Sequence, residues 1–171
     1  HGLTFDDVLL MPKKSELRSR RDPSLRSKLT RTKFLETPII SANMDTVTES
    51  RMAIAMNSLG GLGIIHRFMN KEQQVEHVRL VAESGAKIIS ASIGVNAEFK
   101  ERTAALVAAG VNVMTIDIAH GHSVQMMETL KWLKDTYAGL EIIAGNLASP
   151  DAAVDLIEAG ADAIKVGIGP G

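Results

Sequence analysis

From about residue 37 onward, short apolar runs alternate with amphipathic stretches, and this rhythm constrains the fold more than any other feature of the chain. The apolar runs are 38–42, 62–66, 88–93, 111–118, 141–144 and 163–168. Between them, apolar spacing near the helical period predicts helices over 48–59, 70–84, 97–109, 123–137 and 151–159. Gly60-Gly61, Gly110 and Gly160 close three of these helices, and Asn70 with Gln73 has the form of a capping box. Strands separated by helices cannot pair as hairpins, so they form a parallel sheet with right-handed crossovers. An open doubly wound sheet and a (β/α)8 barrel both satisfy that pattern.

Polar residues choose between the two. Asn43 and Asp45, His66 and Arg67, Asn96, Asp117 and His120, Asn146, and Lys165 with the glycines behind it sit near the C-terminal ends of successive apolar runs. A barrel gathers those ends around one mouth, whereas an open sheet concentrates function at a single switch point. The expected fold is therefore an α/β-class (β/α)8 TIM barrel. Residues 1–171 supply about its first six strands, the N-terminal three quarters of one domain, and the remainder is expected beyond residue 171.

With 45% apolar residues the chain can build a sizeable core, but only 4% are aromatic, so that core is made of Ile, Leu, Val, Ala and Met. Lys plus Arg number 19 against 20 Asp plus Glu, which leaves no general positive field for nucleic acid. Basic residues nonetheless crowd the first 33 positions: Lys13, Lys14, Arg18, Arg20, Arg21, Arg26, Lys28, Arg31 and Lys33. The segment reads either as solvated chain or as an arm that meets a phosphorylated ligand or a neighbouring subunit. Cysteine is absent, which excludes disulfides and thiolate metal sites within this stretch. No apolar run approaches the roughly 20 residues a bilayer span needs, and no signal-peptide pattern opens the chain. A cytoplasmic protein with no membrane partner is expected.

Four motifs carry chemistry. Ser41 to Thr48 places an amide, a carboxylate and hydroxyls at a strand exit, suited to a polar ligand or to capping by Asp45 or Thr46. Asp117 ends an apolar run, where an unpaired carboxylate is costly, and is followed by His120 and His122. Those imidazoles invite a metal reading, but extended chain points them to opposite sides and no third ligand is evident. Ser123 caps the next helix in the plainer reading. Asn146 offers donor and acceptor together, fit for an amide edge or a sugar hydroxyl. Lys165 has Asp117 or Asp162 as possible partners, and Gly167, Gly169 and Gly171 present a row of carbonyl oxygens suited to a cation or mark a hinge.

Leu3-Thr4-Phe5-Asp6-Asp7-Val8-Leu9-Leu10, Asn43-Met44-Asp45-Thr46-Val47, Asp117 to Ser123, Ala144-Gly145-Asn146 and Lys165 to Gly171 together resemble the IMP dehydrogenase/GMP reductase family. The resemblance implies a homotetrameric barrel that binds a purine nucleotide (GMP or IMP), a nicotinamide cofactor, NADP(H) or NAD(H), and a potassium ion. It also implies a nucleophilic cysteine, in a Ser-x-Cys-Thr segment after Gly171, that forms a covalent adduct at purine C2. By the same resemblance Asp117, Ile118 and Ala119 contact the cofactor, as do Ser19 and Arg20 from a neighbouring subunit and Arg67 after the second strand. Ser41, Met44, Asn146 and Gly169 line the nucleotide site, and Gly167 and Gly169 give carbonyls to potassium.

Dehydrogenases of the family usually carry a pair of CBS modules between the second and third strands, and Arg67 to Ile88 has room for one helix only. Lys13-Lys14-Ser15, Ser19-Arg20 and His66-Arg67-Phe68 resemble the reductase branch. The resemblance therefore implies NADPH-dependent reductive deamination of GMP to IMP, with IMP oxidation to XMP by NAD as the alternative. A non-catalytic nucleotide-sensing barrel is the rival from another class.

Overall fold

The computed structural model describes Leu3 and residues 5–168. A short antiparallel hairpin, β1 (Ser27–Lys28) and β2 (Phe34–Leu35), precedes six strands. These are β3 (Ile40–Ser41), β4 (Leu62–Ile65), β5 (Ser90–Ile93), β6 (Val113–Asp117), β7 (Glu141–Leu147) and β8 (Ala163–Val166). Between them run α1 (Ser50–Ser58), α2 (Lys71–Glu83), α3 (Phe99–Ala108), α4 (Val124–Thr136) and α5 (Pro150–Glu158). The strands β3 to β8 pair in sequence order, each parallel to the next. Residues of β3 and β4 share one cavity of about 410 Å³ with residues of β7 and β8, so the sheet curls on itself. It is a partial (β/α)8 barrel, and no strand order reverses as a doubly wound sheet would require.

Side-chain alternation divides the apolar residues into two layers. Ala91, Ile93, Met114, Ile116, Ile142 and Ala144 point outward and pack on helix residues such as Leu106, Leu130, Leu133 and Leu156. Leu62, Ile64, Val113 and Ile143 point inward and form a separate cluster with Leu35 of the hairpin and no helix residue. A strand buried on both faces in this way reads as a continuous apolar run, which is why the runs were visible in the sequence.

Local signals explain the helix boundaries. The Asn70 side chain accepts from Gln73 N (2.8 Å) and Gln73 Oε1 accepts from Asn70 N (3.3 Å), the expected capping box. Ser123 caps α4, and Ser149 with Pro150 at the first turn starts α5. The N-cap of α1 is Glu49, not Asp45 or Thr46, and its side chain makes no capping bond. Thr48 instead ties the strand exit together, donating toward Ala42 O (2.6 Å) and Ser41 Oγ (2.8 Å).

Hairpin β1–β2 has no counterpart in the sequence expectation, and it closes the N-terminal end of the strands. Glu141, at the start of β7, accepts from Thr30 Oγ1 (2.8 Å) and Thr32 N (2.9 Å), and pairs with Lys33 (3.4 Å). Arg31 reaches Asp162 (3.1 Å) and Ala161 O (3.3 Å). Arg31, though its side chain stays exposed, and half-buried Lys33 are thus tied to the strand starts and are not part of a free arm. Burial alone would push the Glu141 carboxyl up. The Thr30 hydroxyl, the Thr32 N–H and the Lys33 ammonium outweigh that and hold it below its ordinary value of 4.5.

Two outcomes follow for the intact protein. A carboxylate whose pKa is depressed by folding contributes stability above its unfolded value and loses it as pH falls through the folded one. Glu141→Gln is therefore expected to cost about 1–3 kcal/mol near neutrality, and the gap to wild type should narrow below about pH 4.5, read by urea unfolding across pH. At Gly63 an added Cβ would lie 2.3 Å from Ala53 Cα, because β4 and α1 touch there. Gly63→Ala should cost about 1–3 kcal/mol by overpacking, while Gly139→Ala, with nothing within 4 Å, should be neutral or slightly stabilising in the same melts.

Candidate active site

Parallel pairing brings Asp117, Gly145 and Lys165 into one row across β6, β7 and β8. Adjacent strands lie about 4.8 Å apart, so Asp117 and Lys165 stand two spacings from each other. Gly145 leaves the space between them open. An added Cβ there would meet Lys165 Cβ at 2.6 Å and Lys165 O at 2.8 Å. The lysine lies across this gap, with Nζ 3.3 Å from Asp117 Oδ1 and 2.7 Å from Asn146 Oδ1. The Asp117 side chain is only 14% exposed, so the pairing answers the cost of burying it.

Asn146 reaches this position through an irregularity. The β7–β8 register runs Gly145↔Lys165 and then Leu147↔Val166, skipping Asn146 as a bulge does. The pairing continues past it, so β7 extends to Leu147 where the apolar run ends at Ala144. Main-chain atoms of Asn146 are held by the loop after β6: its N donates to Ile118 O (2.7 Å) and its O accepts from Gly121 N (2.7 Å). Gly121 has no room for a side chain, since a Cβ would lie 2.6 Å from Asn146 O. Ile118 and exposed Ala119 thus belong to a loop stitched to β7.

Arg67 crosses the mouth from the end of β4. Its Nε donates to Asp117 O (3.1 Å), its guanidinium lies against Gly94 and its Cζ is 4.8 Å from the Phe68 ring centre. Beneath it, buried Gln74 of α2 donates to the carbonyls of His66 (3.0 Å) and Ser92 (2.8 Å) and accepts from Arg102 (2.8 Å). Gln74 therefore clamps the exits of β4 and β5. His66 is buried too, with Nδ1 accepting from Phe68 N (3.1 Å) and Nε2 3.5 Å from Glu49. Neither Gln74 nor the bridging role of Lys165 was assigned from sequence. The available signal for Gln74 was an uncharged polar residue in the first turn of a helix on its apolar side.

Other expected residues are placed as follows. Ser41 and buried Asn43 line the inner cavity together with Lys165. Met44 is 53% exposed on the adjoining loop. Ser19 and Arg20 occupy an exposed turn in which Ser19 N donates to Asp22 Oδ2 (2.9 Å). No hydrogen bond or ion pair among the described residues ties them to the mouth. Gly167 has φ 106° and donates to Leu147 O (2.8 Å), which leaves its carbonyl uncommitted by that bond. Gly169 and Gly171 lie outside the described residues. His122 bonds Asp155 of α5 (2.7 Å) while His120 is exposed, and no cluster of three or more His, Cys, Asp or Glu among the described residues is disposed to hold a metal.

In the mouth, two cations, Arg67 and Lys165, stand with one half-buried carboxylate and one amide. This set can bind an anionic ligand and read hydroxyl, carbonyl or amide groups on it. No helix among the described residues is long and apolar enough to cross a membrane.

Comparison with known proteins agrees over the whole chain. The family model described as the IMP dehydrogenase / GMP reductase domain matches residues 2–171. An inosine-5'-monophosphate dehydrogenase of Cryptosporidium parvum is 40% identical over 212 residues, covering 99% of this chain and 52% of its own length. Another, from Borreliella burgdorferi, is 36% identical over 219 residues, covering 99% and 54%. A GMP reductase of Leishmania major is 28% identical over 304 residues, covering 99% and 62%. The chain spans just over half the length of the first two. A curled parallel sheet with this mouth, matched by the family model from end to end, makes the chain a member of the IMP dehydrogenase/GMP reductase family.

Proposed function

We propose that the protein carrying this chain is a nicotinamide-dependent oxidoreductase of purine nucleotides, and that it oxidises IMP to XMP with NAD. The observation that supports it best is the cluster of Asp117, Asn146, Lys165 and Arg67 at one barrel mouth, made by four different strand ends. The nicotinamide, when bound, supplies the two-electron acceptor. Asp117, held by Lys165, keeps a carboxylate oxygen for the ribose hydroxyls of the cofactor and so orients it. Arg67 and Lys165 offset phosphate charge. Ser41 and Met44 face the nucleotide, and Asn146 offers its amide to a purine or carboxamide edge. The covalent step belongs to a cysteine outside these residues, since the chain contains none.

Reductive deamination of GMP by NADPH is the second reading. The short connection between β4 and β5 favoured it in the sequence. That argument weakens because the Leishmania relative named a reductase aligns over 304 residues, far more than this chain has, whereas the Cryptosporidium dehydrogenase needs only 212. The more similar relatives carry the dehydrogenase name, and the direction is proposed accordingly. Potassium at the Gly167 and Gly169 carbonyls, a homotetramer with Ser19 and Arg20 reaching a neighbour, and completion of the barrel by residues beyond 171 are parts of the same proposal.

Assays of the intact protein with IMP plus NAD and with GMP plus NADPH, followed by nicotinamide absorbance, test it. Turnover is expected in the first; turnover only in the second reverses the direction, and none in either rejects the enzyme in favour of a nucleotide sensor. Asp117→Asn should lower kcat about 100-fold while the nucleotide KM changes little, because orientation of the cofactor is what it removes.

A further inference from the structure

Lys165 is more than a charge partner for Asp117. A lysine ammonium carries three donors and no acceptor. At 2.7 Å from Asn146, it can face only the amide oxygen, and the NH2 group must point the other way. The main-chain N and O of Asn146 are both committed to the loop after β6, so rotation of the amide is the freedom left to this residue. Lys165 removes that freedom. Among the described residues nothing accepts from the Asn146 NH2.

We propose that Lys165 is a positioning residue which turns Asn146 from a group able to donate or accept into a donor. The ligand atom opposite Asn146 is then an acceptor, a carbonyl oxygen or an unprotonated ring nitrogen, and an exocyclic amine at that place is rejected. A wrong partner would leave two donors facing each other, a mismatch that discriminates strongly in a site shielded from water. The identity of the ligand rests on the proposed function; the orientation of the amide does not. A carbonyl is available both on the purine and on the carboxamide of the cofactor, and the two sources differ in which KM responds.

Gly145 makes the arrangement possible. Its missing side chain is the space through which the lysine stem passes, and Asp117 on the far side anchors the same ammonium at 3.3 Å. The contact is therefore held from two directions by residues on two strands.

The test uses four variants of the intact protein. Lys165→Met keeps the stem and deletes the donor; kcat/KM should fall about tenfold to a hundredfold, the loss appearing in the KM of whichever ligand faces the amide. Lys165→Arg, which is also donor-only, should restore most of it. Asn146→Asp keeps an acceptor toward Lys165 but replaces the outward donor, so activity should fall as far as in Lys165→Met with no drop in Tm. Wild-type activity in Asn146→Asp, or a Lys165→Met variant within twofold of wild type, overturns the proposal. If wild type turns over neither nucleotide, the functional reading fails and thermal unfolding decides the contact. Asn146→Asp should then lower Tm more in the Lys165→Met background than in wild type, because its carboxylate would face Asp117 without the ammonium between them. Equal shifts in the two backgrounds also overturn it.

Discussion

The row Asp117–Gly145–Lys165 is the constraint on which the site depends. It exists because β6, β7 and β8 are parallel and in register, so that a carboxylate, a glycine and a lysine from distant parts of the sequence share one level of the sheet. A larger residue in the middle would separate the charges. With glycine there, a half-buried carboxylate gains a cation, the cation gains an amide oxygen, and the loop after β6 is drawn against β7 by the bonds of Ile118, Asn146 and Gly121. Each element of the mouth is thereby fixed through another, which is the condition for presenting a few polar groups at set angles to a ligand.

The two ends of the sheet do different work. At the N-terminal end, Glu141 and Asp162 are engaged by Thr30, Thr32, Lys33, Arg31 and Lys134, and the hairpin lays Leu35 on the inner apolar cluster. These contacts close the lumen and hold strand starts in place. At the C-terminal end the polar groups keep unspent capacity, including the second oxygen of Asp117 and the NH2 of Asn146. Conserved roles in barrels divide along the same axis, stability below and chemistry above.

Most of the strands and all five helices between them were legible in the sequence, because a strand covered on both faces is apolar without interruption and a helix between strands is amphipathic. Caps with strong side-chain signals, Asn70 with Gln73 and Ser123, were legible too. Three things were not. The hairpin β1–β2 has two-residue strands in a basic segment, and its role is set by carboxylates more than 100 residues away, which local pattern does not report. The bulge at Asn146 has no composition of its own. Gln74 is distinguished from an exposed glutamine only by which way its helix faces. The charged residues of the mouth were visible as a set, but their pairing was a matter of register.

Lys165 shows how register settles what the residues alone leave open, since both Asp117 and Asp162 were possible partners. Asp162 lies three residues before it, about 10 Å along an extended chain. Its side chain is 3% exposed, and it already receives Arg31, Lys134 and the N–H of Ile142 at the bottom of the sheet. Three donors already surround that buried carboxylate, and the lysine stem would have to run backward along its own strand to reach it. Going sideways costs less: two inter-strand steps over a glycine bring the ammonium to the Asp117 carboxylate, while Arg67 binds the main-chain oxygen of the same residue. The same choice carries the charge of β8 to the mouth, and so makes the last strand of this sheet part of the site.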